Sequence, residues 1–150
     1  MGDLLQFEDF TPGRVFELGS REVTTEAIVS FGLAYDPLPF LIDPDASADG
    51  PYGGLVASGR HSALIWMRLY VDAVLNRSAG MGSPGLDEIR WHRPVRPGDV
   101  LHGRVTVLEA TPSATRPGRG TVLFEGEVVN QDGEVATSIR GRSFFARRAP

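Results

Sequence analysis

The first helical pattern in the chain lies over residues 24–35 and ends just before a pair of prolines. Ile28, Phe31 and Tyr35 recur at the spacing of one helix face. Thr24 or Thr25 can cap the start of this helix. Pro37 disfavours helical geometry at the residue before it, so we predict that the helix ends at Asp36. Pro39 then predicts an extended segment.

A second and longer helix is predicted over residues 58–78, after a loop over residues 43–54. Ser58 is a suitable N-cap residue for it. Apolar side chains cover most of its circumference, which indicates a helix buried by several neighbours. The expected core stripe is Leu64, Met67, Val71 and Val74, widened by Ile65, Trp66, Leu69 and Tyr70.

The remainder of the chain has the pattern of β-strands. Residues 11–24 read as a turn followed by an extended segment. After the long helix, "GLDEIRWHRPV" is followed by a Pro-Gly turn and then by three runs rich in Val, Thr and Phe, of which the last two are joined by the hairpin signal "NQDG". One buried helix followed by about four antiparallel strands predicts an α+β fold. We expect the sheet to curl around the helix.

Size and composition exclude several classes of protein. The 150 residues suit one domain spanning residues 1–150. The chain has a net charge of −4, which argues against nucleic-acid binding, and no run is long enough to span a membrane. The acidic start lacks the basic region of a secretory signal. With no cysteine and no lysine, thiolate chemistry, disulfides and lysine Schiff bases are excluded, and we expect a cytoplasmic protein.

Several local motifs fail as catalytic or metal sites. "GLVASGRH" approaches a phosphate-binding loop, but Arg60 and His61 replace its lysine and hydroxyl residue. The three histidines match no metal-ligand spacing, so no metal is expected. His61, in the first turn of the long helix, is open to two interpretations, a general base or a packed side chain. The cluster of Arg90, Arg93 and Arg96 can either meet phosphates or form a solvated strand edge.

Two features retain a functional interpretation. Asp36 closes a helix, is held by Pro37, and is surrounded in sequence by large apolar residues. If it is buried, it can act as a base, and if it is exposed it is simply the polar end of a helix. The glycine-rich start of the long helix offers free backbone N–H groups to an anion or to a developing oxyanion. Close packing at a helix start explains the same glycines equally well.

The order of these segments resembles the MaoC-like dehydratases, relatives of the (R)-specific enoyl-CoA hydratases. The resemblance covers roughly residues 7–146 and rests on "FEDFTPGRVFELG", "DPLPFLIDPDA", "YGGLVASG", the long helix and "IRWHRPVRPGD". It implies the hot dog fold, in which an antiparallel sheet wraps one long helix and protomers pair as dimers. It also implies a site for acyl thioesters near the dimer interface, with CoA or a carrier protein as the thiol and no cofactor.

The resemblance assigns roles residue by residue. Asp36 matches the catalytic aspartate, which in the family works with a histidine five residues later to deprotonate water. Gly59 matches the glycine whose N–H holds the thioester oxygen. Phe40, Leu41, Ser58 and His61 are the expected substrate-binding neighbours. Position 41, however, holds leucine where the family has its histidine, and leucine cannot bind water or move a proton.

Three functions therefore stand as alternatives. The best single interpretation is an enoyl-thioester hydratase or dehydratase of fatty acid metabolism that uses Asp36. The second is a non-catalytic thioester-binding protein, or the silent subunit of a heteromer whose partner carries the histidine. The third is a hot dog acyl-CoA thioesterase. A homodimer or higher homo-oligomer is expected in the first case.

Overall fold

The computed structural model describes residues 3–148 and contains four α-helices and five β-strands within that range. There are also two short 3₁₀ turns: Phe7–Asp9 comes before the first strand, and Leu75–Arg77 follows the longest helix. The helices are α1 (Thr25–Tyr35), α2 (Pro39–Ile42), α3 (Pro44–Ser47) and α4 (Gly59–Ala73), and the strands are β1 (Val15–Glu22), β2 (Gly85–Trp91), β3 (Val100–Pro112), β4 (Arg119–Val129) and β5 (Val135–Ala146).

The five strands form one antiparallel sheet in the order β1-β3-β4-β5-β2. Along β4 the residues alternate between buried and half-buried positions, as expected for a strand with one face on the core. The buried face of the sheet packs against α4. The predicted α+β architecture, a sheet wrapped around one long helix in the hot dog arrangement, is confirmed.

An aromatic cluster joins α4 to the middle of the sheet. The Trp66 side chain is only 2% exposed, and its ring centroid lies 5.4 Å from that of Phe124 and 4.9 Å from that of Tyr70. Its indole Nε1 donates a hydrogen bond of 3.0 Å to the carbonyl oxygen of Arg104. Large apolar area and a satisfied N–H make Trp66 a central packing residue of the core.

Gly126 on β4 provides the space that Trp66 occupies. A Cβ atom at position 126 would lie 2.3 Å from Cε2 and Cζ2 of the indole, far inside van der Waals contact. The close approach of helix and strand therefore requires a residue without a side chain here.

The predicted core stripe of α4 was partly wrong. Leu64 and Met67 are 54% and 40% exposed, whereas Val74 is buried as expected. The face turned to the sheet carries Ser62, Ile65, Trp66, Leu69 and Tyr70. A helix that is apolar nearly all round gives no single stripe that identifies its inner face, and the sheet covers only one side of it.

The segment after Asp36 also differs from its prediction. Pro39 starts α2 instead of holding an extended chain, because the fixed φ of proline suits the first position of a helix. Within the predicted loop over residues 43–54, Pro44 starts α3 in the same way. The Asp43 carboxylate caps α3 by accepting hydrogen bonds from the N–H groups of Asp45 (2.9 Å) and Ala46 (3.2 Å).

Other predicted boundaries are confirmed or shortened. The Thr24 hydroxyl oxygen caps α1 by accepting a 3.1 Å hydrogen bond from Ala27 N–H, and α1 ends at Tyr35 with Asp36 as its C-cap. The long helix stops at Ala73, five residues before Ser78, and gives way to a 3₁₀ turn. The β4–β5 hairpin turns at "NQDG", where Gly133 has a φ of +78°.

None of the helices within residues 3–148 is long and apolar enough to cross a membrane.

Candidate active site

A pocket of about 370 Å³ lies where the end of α1 meets the start of α4. Its wall brings together most of the residues singled out from the sequence: Asp36, Phe40, Leu41, Ser58 and Gly59, together with Trp91. The carboxylate and the helix start are far apart in the chain, so the fold is what makes them neighbours.

Asp36 is half-buried and held by one strong contact. The Ser58 hydroxyl, on a residue only 3% exposed, donates a 2.8 Å hydrogen bond to Asp36 Oδ2. This fixes the direction of the carboxylate and leaves further acceptor capacity on its other oxygen. Ser58 precedes α4 as predicted, but its side chain bonds to Asp36 and makes no capping hydrogen bond.

Gly59 is the first residue of α4, where backbone N–H groups have no acceptor within the helix. The pyrrole part of the Trp91 indole lies against it, since a Cβ atom at position 59 would stand 2.3 Å from Trp91 Nε1 and 2.4 Å from Cε2. Glycine therefore serves close packing here. The close-packing interpretation of this helix start is thus observed, while the oxyanion role of the Gly59 N–H stays a prediction.

Leu41 and Phe40 form the apolar wall of the pocket. Leu41 is 4% exposed, and the Phe40 ring centroid lies 5.7 Å from that of Tyr52. The place that the resemblance gives to a histidine is thus filled with packed hydrocarbon. Asp36 is the one carboxylate in the lining of the pocket.

His61 lies outside this pocket. Its ring stacks on Phe31, with centroids 4.7 Å apart and planes 5° from parallel, and its Nδ1 is buried without a hydrogen-bond partner among residues 3–148. Burial, aided by the positive charge of Arg21, lowers the pKa of His61. A neutral ring packed on an aromatic neighbour matches the packed-side-chain interpretation, and the structure gives no contact between His61 and the pocket.

The other two histidines are held by neighbours on the sheet. His92 contributes to the pocket lining, but its Nε2 lies 2.8 Å from the Ser138 hydroxyl oxygen. His102 on β3 lies 2.5 Å from Glu17 Oε2 and 3.1 Å from Ser20 Oγ, both on the edge strand β1. Neither ring makes a hydrogen bond to Asp36.

The arginine cluster that followed the long helix is largely neutralised. Arg90 pairs with Glu88 at 2.6 Å, and Arg93 pairs with Glu134 at 2.6 Å. Arg96 donates to the carbonyl oxygen of Tyr52. These contacts favour the solvated strand edge over a phosphate site. Within residues 3–148 no group of three or more His, Asp or Glu side chains is arranged to hold a metal ion.

A second, larger cavity of about 580 Å³ lies between α4 and the part of the sheet formed by β2, β4 and β5. Its lining is mainly apolar and includes Leu64, Met67, Leu86 and Phe144. Arg60 lines this cavity and the Asp36 pocket alike. Sequence reasoning missed both Arg60 and this cavity, although the excess of apolar residues around the long helix was a signal for a second apolar surface.

Comparison with known proteins agrees with this geometry. The chain is 39% identical to a MaoC-like dehydratase from Rhodospirillum rubrum of known structure, with a TM-score of 0.90, covering 97% of this chain and 99% of that one. It is 27% identical to the 3-hydroxybutyryl-CoA dehydratase of Methylorubrum extorquens, over 91% of this chain and 85% of that protein. The R-hydratase PhaJ1 from Pseudomonas aeruginosa shares the fold, with a TM-score of 0.76 at 20% identity over 97% of this chain and 88% of that one.

The sequence model of the MaoC like domain matches residues 8–128, which is most of the chain. The family implied by the resemblance is thereby confirmed. The matched range contains both Asp36 and Gly59. This chain belongs to the MaoC-like dehydratase domain family.

Proposed function

We propose that this protein is an enoyl-thioester hydratase/dehydratase, which reversibly adds water to the double bond of a trans-2-enoyl-CoA or a similar acyl thioester. The observation that carries the proposal is the Asp36 carboxylate, oriented by Ser58 at 2.8 Å in the same pocket as the first N–H of α4. A base and an oxyanion donor side by side are the two groups that this reaction needs.

One carboxylate can complete the proton transfers. Asp36 takes a proton from a bound water while the water oxygen forms a bond to the β-carbon. The π electrons move toward the thioester, and the resulting enolate oxygen is stabilised by the Gly59 N–H. Asp36 then returns its proton to the α-carbon, so the elements of water are added and the carboxylate is restored. Dehydration follows the same steps in reverse, and neither direction requires a cofactor.

Family membership supports a lyase activity. The Methylorubrum extorquens relative is named a 3-hydroxybutyryl-CoA dehydratase, and dehydration is the reverse of the proposed hydration.

Leu41 is the residue expected to limit the reaction rate. A positioned acid–base group typically contributes about 100- to 10,000-fold. The absence of the family histidine from position 41 therefore predicts a slow enzyme unless another group assists Asp36.

Leu41→His is expected to raise kcat for the hydration of trans-2-enoyl-CoA by about tenfold or more, since it adds an acid–base group beside Asp36. Loss of enoyl absorbance measures the rate in the wild-type and variant proteins. Leu33→His, on an α1 residue that is 62% exposed and outside the pocket, is the control.

Three outcomes of this assay separate the alternatives. Hydration by the wild-type protein supports the proposal. Release of free thiol from acyl-CoA without hydration identifies a thioesterase. If neither the wild-type protein nor Leu41→His shows any turnover, the proposed activity is wrong and the silent-subunit alternative takes its place.

We also propose that two copies of this chain pair along β2 and the outer side of α4. Leu64 and Leu86 are 54% and 53% exposed there, and β2 is an edge strand that pairs only with β5 within the described chain. Exposed apolar side chains beside a free strand edge favour association. Light scattering should give the mass of two protomers, or a multiple of it. The mass of a monomer would refute pairing. Co-purification with a histidine-bearing hot dog protein would identify a heteromer.

We place the protein in the cytoplasm, which cell fractionation tests.

A further inference from the structure

Arg60 is the one charged side chain among the residues that line the larger cavity. The rest of that lining is apolar or neutral, with Leu64, Met67 and Phe144 among its members. Arg60 itself is exposed to solvent, so its guanidinium is hydrated and open to a ligand at the edge of the cavity. An anionic group on a ligand in this cavity would find its one cationic partner in Arg60.

Residues 3–148 provide no such partner. The ion pairs formed within this range include Arg93 with Glu134 at 2.6 Å and Arg68 with Asp72 at 2.9 Å, but none involves Arg60. Arg68 lies two turns further along the same helix and is neutralised by its neighbour. Of the two arginines in contact with the pockets, Arg93 is paired and Arg60 is not.

The position of the Arg60 side chain is set by Trp91. The Arg60 guanidinium carbon lies 5.8 Å from the Trp91 ring centroid, within the range of a cation–π contact. The same indole lies against Gly59, the proposed oxyanion donor. The guanidinium is therefore held near the thioester end of the site, at the boundary between the Asp36 pocket and the apolar cavity.

An acyl chain with its carbonyl oxygen at the Gly59 N–H would pass Arg60 within a few bonds on its way into the larger cavity. Arginine binds carboxylates through two parallel N–H···O hydrogen bonds, which supply geometric selectivity as well as charge. A neutral alkyl chain would leave the exposed guanidinium to water and gain no ion pair from it.

We propose that Arg60 binds a carboxylate carried by the acyl group, so that the substrate is the thioester of an unsaturated dicarboxylic acid. This inference rests on the proposed function, because it assumes that the thioester lies at Gly59. The shared chemistry, an anionic oxygen group, also occurs in the phosphates of CoA. We favour the acyl carboxylate because Arg60 lines the cavity beyond the reacting carbons.

The test compares two CoA thioesters of equal length, pent-2-enedioyl-CoA with a terminal carboxylate and pent-2-enoyl-CoA without one. The wild-type protein should prefer the carboxylated substrate in kcat/KM. Arg60→Gln should lower this preference about 10- to 100-fold, the range expected for hydrogen bonds to a charged group. Arg68→Gln, an arginine on the same helix outside both pockets, should keep the wild-type ratio. If Arg60→Gln slows both substrates equally, Arg60 binds a CoA phosphate and the inference is wrong. The inference is also overturned if the wild-type protein shows no preference for pent-2-enedioyl-CoA over pent-2-enoyl-CoA.

Binding of saturated analogues separates this inference from the proposed reaction. Calorimetry with glutaryl-CoA and pentanoyl-CoA requires no turnover, and the wild-type protein should bind glutaryl-CoA more tightly, with the difference lost in Arg60→Gln. If this preference appears in a protein that hydrates no enoyl thioester, the reaction is wrong and carboxylate recognition stands. If pent-2-enoyl-CoA is hydrated but glutaryl-CoA binds no better than pentanoyl-CoA, the reaction stands and the role of Arg60 is refuted.

Discussion

Replacing Asp36 with asparagine is expected to lower kcat for enoyl-CoA hydration by about 100- to 10,000-fold. Asparagine keeps the size of the side chain and can still accept the hydrogen bond from Ser58, which is 2.8 Å long in the wild-type protein. It cannot take a proton from water, because its amide is not a base at neutral pH. The loss should therefore appear in the chemical step while the folded structure is retained.

Asp49→Asn is the matched control for this variant. Asp49 is an exposed residue of the loop after α3 and is not part of the pocket lining, so its replacement should leave kcat unchanged. Thermal melting of both variants checks that each remains folded. Wild-type rates in folded Asp36→Asn protein would remove Asp36 from the mechanism.

Gly126→Ala is expected to reduce the free energy of unfolding by about 1–3 kcal/mol, the usual cost of overpacking a core. The added methyl group would lie 2.3 Å from the Trp66 indole, which is 2% exposed and stacked on Phe124. Neither the strand nor the ring can shift without disturbing other core contacts. For a chain of this size each kcal/mol lowers Tm by about 2–4 °C.

Gly118→Ala tests whether the effect is specific to position 126. A Cβ at Gly118 would meet nothing within 4 Å, so this variant should melt close to the wild-type temperature. In a Trp66→Leu background, Gly126→Ala should be less destabilising than in the wild-type protein, because the clash is gone. Additive effects of the two substitutions would contradict the packing explanation.

The order and type of the main elements could be predicted because local signals and tertiary packing agree. Thr24 and Asp36 mark the ends of α1 by capping and by the effect of Pro37, and "NQDG" marks the β4–β5 hairpin. The starts of α2 and α3 were missed because proline is compatible with an extended segment and with a first helical residue. Only the packing of the folded chain selects between these two conformations.

The candidate site was predictable in its residues but not in its contacts. Asp36 and Gly59 could be selected from the sequence, and the structure places them in one pocket. The hydrogen bond from Ser58 could not be foreseen, since it joins positions 22 residues apart in the chain. The same limit applies to His61 and Arg60. They are adjacent in sequence, yet one packs on Phe31 and the other reaches both pockets.

The hydrogen bond between Ser58 and Asp36 ties the proposed base to the residue directly before the proposed oxyanion donor. Any displacement of the helix start would therefore move both reactive elements together and preserve their spacing. In the proposed enzyme, the two reacting groups form one unit, while the acyl group would extend into the cavity beside α4. Substitutions in the lining of that cavity could then change the acyl specificity without moving the reacting groups.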